Sequence, residues 1–168
     1  MRKSLLLVAL LSVARPLAAQ PAPDAPVPAH VTYLIDAARS GFAGMREGST
    51  DALASSYPMR FQGAEARSEV RVNLNWNVMH YTWLPVAGSP AAADSAWARL
   101  AREIATVIPA GWQQFRNYPD QRHVYWQECE QGRGREVALS RSLSFEQPAL
   151  VLIVYRYDRP CGAPATGG

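Results

Sequence analysis

His80, His123 and the carboxylate of Glu128 are the residues of this chain best suited to general acid–base work, because imidazole titrates near neutral pH and a carboxylate can orient it. Both histidines fall on segments that read as strands, and they meet if those strands are neighbours. A small hydrolase-like enzyme using His80 or His123 with a nearby carboxylate such as Glu128 is therefore one reading. Of the three histidines only these two are expected within the fold, His30 standing outside it. No G-x-S-x-G elbow, H-E-x-x-H helix, phosphate-cradling loop or dinucleotide fingerprint accompanies them. Cys129 and Cys161 form no C-x-x-C pair, and His123, six residues before Cys129, stands at no zinc-ligand spacing. No catalytic residue, metal ligand or cofactor is assigned.

The richer signal is aromatic. Trp76 and Trp97 fall on apolar faces and read as core. Trp83 and Trp112 stand near the ends of elements, where binding residues concentrate, and are the candidate binding residues. Trp112 also follows Pro109 and Gly111 closely enough to fold back as a plug over a helix end. The cluster Arg133-Gly134-Arg135, beside Glu128, Glu130 and Glu136, reads as a solvated hairpin tip.

Residues 1–19, MRKSLLLVALLSVARPLAA, carry a basic start, a short apolar run and a small-residue exit, the pattern of a secretory signal peptide. The run is too short to span a bilayer, and no cysteine near the exit can take a lipid, so neither a membrane span nor a lipid anchor is expected. Three of the 17 basic residues lie in this segment, which leaves 14 against 14 acidic ones. A neutral mature chain without a basic cluster excludes a nucleic-acid footprint. The one lysine of the full chain, Lys3, lies in residues 1–19, so the mature chain has none and Schiff-base and phosphate-loop lysine chemistry are excluded as well. Export makes a Cys129–Cys161 disulfide the expected state, closing a loop of about 33 residues that contributes roughly 3–4 kcal/mol. With a strand between the two cysteines, the residues before Cys161 must turn back across the end of that strand.

The elements follow from periodicity. Residues 20–29 hold four prolines and read as a linker, 30–161 as a single domain, and 162–168 as a flexible tail. Val31, Leu34, Ile35, Ala38, Phe42 and Met45 recur at helical spacing. Residues 55–61 suggest a short strand. Val70, Val72, Leu74, Trp76 and Val78 alternate as one strand with one wet face, and a phase slip toward Tyr81 and Trp83 requires a bulge or turn near the asparagines. Ser89-Pro90 caps a second helix through Ile108, and residues 111–122 read as an aromatic loop. Three strands close the chain as a meander: 123–129, 136–145 and the nearly continuous apolar run 149–157. The fold class is α+β, with two helices on one face of a mostly antiparallel sheet of four to five strands.

Gly41-Phe42-Ala43-Gly44-Met45-Arg46, Tyr57, the exit Ile104-x-x-x-Ile108-Pro109-x-Gly111-Trp112 and the final aliphatic strand together resemble a group of small exported bacterial proteins without assigned activity. The resemblance implies a similar α+β fold and transfers no catalytic residue; the cysteine pair lies outside its pattern. The reading is an exported, periplasmic or secreted, non-catalytic module that binds an envelope protein, peptide or cell-wall component. Intact-mass spectrometry of the exported product should find a chain beginning at Gln20 or Pro21 and about 2 Da lighter than its dithiol form. Retention of residues 1–19 contradicts export, and a dithiol mass contradicts the pairing.

Overall fold

A computed structural model describes residues 19–45, 57–72, 78–116, 123–130, 133–142 and 148–157. Helix α1 spans Val27–Ala38 and α2 spans Pro90–Ala105; the strands are β1 Arg60–Phe61, β2 Ala64–Glu65, β3 Arg67–Val72, β4 Val78–Pro85, β5 Gln113–Arg116, β6 His123–Glu130, β7 Arg133–Ser142 and β8 Ala149–Tyr157. β1 and β2 form a two-stranded ribbon. The other strands build one antiparallel sheet in the order β3-β4-β8-β7-β6-β5. The α+β class holds, but the main sheet has six strands rather than four to five.

The two extra strands have identifiable causes. β3 and β4 form a hairpin whose register aligns Val72 with Val78, so the alternation read as one continuous strand runs through the connection between two. β5 carries one large apolar residue, Phe115, in the sequence QQFR, too weak a period to stand out in a segment read as loop. The apolar run of β8 lies inside the sheet between β4 and β7, as its composition implies.

Both helices cover the same face. Leu150, Leu152 and Val154 of β8, Val137 and Leu139 of β7, Val124 and Trp126 of β6 and Leu84 of β4 point to that side and are buried there with Val31, Leu34 and Ile35 of α1 and Leu100 and Ile104 of α2. Each large side chain removed from water contributes about 1.5–3 kcal/mol. The Trp97 indole N–H donates to the Leu139 carbonyl at 3.3 Å, and Arg141 reaches Asp94 near the start of α2 at 2.5 Å.

Helix α1 begins at Val27, inside the stretch read as linker, because Pro28 sits in its first turn, where a missing N–H costs nothing. Its exit is closed by two backbone bonds, Phe42 N–H to Ala37 O and Gly41 N–H to Ala38 O, both 3.0 Å, with Gly41 at φ +63°. Phe42 follows at φ +57°, an uncommon conformation for a non-glycine residue, and its ring is fully buried. No basic residue occupies the last turn of α1. The sheet supplies them: Arg135 donates to Ile35 O at 3.1 Å and Arg156 to Arg39 O at 3.0 Å, placing cations at the negative end of the helix dipole. Helix α2 starts as its sequence predicts, with the Ser89 hydroxyl accepting from Ala92 N–H at 3.3 Å.

Candidate functional site

The two sheet faces carry different chemistry. On the helix-covered face, His30 of α1 and His80 of β4 are fully buried, and Tyr57 stands between them. His30 Nδ1 and the Tyr57 hydroxyl are 2.6 Å apart, the Tyr57 ring meets the His80 ring edge-on at 5.3 Å, and His80 Nδ1 is 3.3 Å from the Thr82 hydroxyl. Burial pushes the His80 imidazole down to about 4, lowers His30 against the smaller opposing effect of the Ala25 and Pro23 carbonyls, and raises the Tyr57 hydroxyl. At neutral pH this is an uncharged packing cluster sealed from solvent.

The acid–base pairs suggested by the sequence do not assemble. His80 lies on the covered face of β4; His123 lies on the open face of β6, with β8 and β7 between. Glu128 follows His123 by five positions along one strand, an odd offset that puts them on opposite faces. Arg135 occupies both Glu128 oxygens at 2.6 Å. That arginine is no solvated hairpin tip: its side chain is 11% exposed, because the guanidinium is shared among Glu128, the end of α1 and the ring of Trp112, 5.5 Å away. Trp112 is half-buried against the core, the plug position. Trp83 stands on the other face, so the two candidate binding tryptophans do not share a site. Trp76 and Cys161 lie outside the described residues; Cys129 in β6 is aligned with Gly134 of β7, and β7 lies between β6 and β8.

No described helix covers the opposite face. Register places Phe115, Tyr125, Ala138, Ile153, Tyr81 and Glu69 in one row across it, and Gln127, Glu136, Tyr155, Met79 and Arg71 in the next. Phe115 stacks on Tyr125 at 5.0 Å and Tyr81 on Trp83 at 5.9 Å. On the edge strand β3, Arg67 lies 5.5 Å over the Trp83 ring and Arg71 lies 4.9 Å over Tyr81. Arg71 is ion-paired to Glu69, which is only 4% exposed. Arg67 makes no ion pair with any described residue. A groove of about 460 Å³ opens beside these residues, lined by Glu65, Arg67, Arg71, Trp83, Pro85, Pro148 and Ala149. A second groove, of about 370 Å³ around Asp24, Arg60, Arg99 and Glu103, has these charges already paired within it, Arg60 with Asp24 and Arg99 with Glu103.

Glu136 stands near the middle of the open face, half-buried, and burial pushes its carboxyl up to about 7. Tyr155 beside it is raised as well, by burial first and then by the neighbouring Tyr81 and Glu136. The Tyr157 ring passes over Gly134, close to where a β-carbon would stand, and the Tyr157 hydroxyl accepts from the Gln127 amide. Sequence reasoning missed Arg67, Arg71 and Glu136 as site residues. The available signal was the alternation Arg67-x-Glu69-x-Arg71, which faces Trp83-x-Tyr81-x-Met79 only once the hairpin is closed.

No family model, no curated protein and no solved structure matches the chain.

The raised Glu136 carboxyl has a defined consequence for stability. Its folded value of about 7 exceeds the ordinary 4.5, so the folded state favours the protonated form and stability is lost as pH rises through that interval. His80 acts in the opposite direction: its folded value of about 4 lies below 6.5, and stability is lost as pH falls through that range. Glu136→Gln should therefore raise the melting temperature over the wild type at pH 8, by roughly 5–10 °C from at most about 3 kcal/mol, and by much less at pH 5. Calorimetry at the two pH values reads the difference, and an equal effect at both contradicts the burial account of Glu136.

Proposed function

We propose that this chain is an exported, non-catalytic binding module, periplasmic or secreted, that takes an envelope protein, peptide or cell-wall component on the open face of its six-stranded sheet. The observation that carries the reading is the set of partly exposed aromatic rings, Trp83, Tyr81, Tyr155 and Tyr125, spread over a face that no described helix covers, with a groove at its Arg67–Trp83 corner. Rigid aromatic surface with a few polar groups suits recognition at low entropic cost. Catalysis finds less support, since His80 is sealed and neutral and Glu128 is held by Arg135. Export rests on residues 1–19 and the Cys129–Cys161 disulfide on the export context; residues 1–18 and Cys161 lie outside the described residues. No described helix is long and apolar enough to cross a membrane.

The test is capture from an envelope extract with immobilised mature protein, well below the melting temperature of every variant. Trp83→Ala should remove most of the specifically captured material. Trp112→Ala should cost roughly 3 kcal/mol of stability and leave capture intact, because that ring packs inward. Undiminished capture by Trp83→Ala overturns the assignment of the open face.

A further inference from the structure

We propose that the Arg67–Trp83 corner is a peptide site, in which an extended acidic segment of a partner lies along the outer edge of β3 and places one carboxylate on the Arg67 guanidinium. The proposal rests on the open-face reading and names the chemistry of the occupant.

Two independent observations point to it. The first is a comparison within one strand. Arg67 and Arg71 both lie with the guanidinium over a ring of β4, Arg67 over Trp83 at 5.5 Å and Arg71 over Tyr81 at 4.9 Å. A guanidinium held over a ring keeps the N–H groups that do not meet the ring free for a carboxylate. At Arg71 that acceptor is present, the buried Glu69. Arg67 makes no ion pair with a described residue, since the Glu65 that lines the same groove reaches Arg60 instead, so its donors are available to a carboxylate from another molecule. The floor beside it, Trp83, Pro85, Pro148 and Ala149, offers an apolar surface for the side chain next to that carboxylate.

The second observation selects a peptide over a small carboxylic acid. β3 ends the sheet and pairs only with β4 among the described residues. In an antiparallel edge strand every second residue points its N–H and C=O away from the sheet, and an extended peptide supplies the matching groups. Cross-strand neighbours on one face stand directly opposite, so one position of the added strand falls beside Arg67 and the position two residues on falls beside Glu69. Glu69 is already held by Arg71, and a second acidic residue there would meet a like charge. The preferred segment therefore carries one acidic residue flanked on the same face by neutral side chains.

The probe is a fluorescein-labelled heptapeptide of alternating threonine and valine with blocked ends and one central glutamate, titrated by anisotropy at about 50 mM salt, where surface charge contacts are weakly screened. The central-glutamate peptide should bind at least about tenfold more tightly than the same peptide with central lysine, and Arg67→Glu should invert that preference. Arg67→Gln should lower glutamate-peptide affinity without creating a lysine preference, and it guards against a misfolded charge reversal. N-methylation of one of the two alternate sets of peptide nitrogens, the set that faces β3, should abolish binding, while methylation of the other set should leave it unchanged. Equal affinity for the two peptides, no binding by either, or a preference that survives Arg67→Glu overturns the acidic-segment assignment; binding indifferent to N-methylation of either set overturns the edge pairing. If neither peptide binds while Trp83→Ala still removes envelope capture, the peptide site is wrong and the open-face reading stands.

Discussion

Coverage of one sheet face, and not the other, by the described helices is the constraint on which the rest of the described structure depends. Side chains alternate between faces along every strand, so six antiparallel strands present two surfaces of equal extent, and the two described helices cover one of them. The covered side holds the aliphatic layer of Leu150, Leu152, Val154, Val137, Leu139, Leu84, Leu34 and Leu100. Among the described residues the other side makes its own partial cover, with rings and long polar side chains. Arg67 and Arg71 lie over Trp83 and Tyr81, Phe115 over Tyr125, and Tyr157 over Gly134. That layer is thin enough to leave Trp83 and Tyr155 half-exposed and dense enough to desolvate Glu136.

The covered side is fixed at its rim by arginines. Arg135 joins β6, β7, the end of α1 and the ring of Trp112, and Arg156 reaches the carbonyl of Arg39 from β8. These contacts compensate for a helix whose own last turn carries no cation. A guanidinium shared among a carboxylate, a carbonyl and a ring is worth more than an exposed ion pair, because it is 11% exposed and its partners are fixed. Arg141 plays a parallel part at the start of α2 through Asp94. On the open side the same residue type is used differently, with surface guanidinium groups spread over aromatic rings.

Elements with strong local signals were legible in the sequence. The Ser89-Pro90 start and apolar spacing of α2 persist in the fold, as do the three C-terminal strands and the inner position of β8. Legibility failed where the deciding neighbour is distant. The break expected near the asparagines falls at the β3–β4 connection, but unbroken alternation from Val70 to Val78 made the two strands read as one, and β5 was hidden because its pairing with β6 compensates for a polar sequence. Prolines near residue 26 suggested a linker although Pro28 fits the first turn of α1. The site was less legible than the fold. Trp83 could be singled out by its place near an element end, but Arg67, Arg71 and Glu136 acquire meaning only from β4 and β8, which bring rings beside them. Arg135 read as a solvated charge because nothing in its local sequence reveals the end of α1, a hundred residues away.

An open face built of rings and two desolvated carboxyls, Glu69 and Glu136, is a binding surface only if another molecule touches it in the compartment where the protein works. Site-specific photo-crosslinking in living cells tests this most directly, with a benzophenone side chain at Tyr81 on the open face or at Arg102 on the exposed side of α2. A discrete adduct from position 81 and none from position 102 is the result this account predicts. An adduct from position 102 without one from position 81 would contradict it, because the partner would then meet the helical layer and the open face would have no role in recognition.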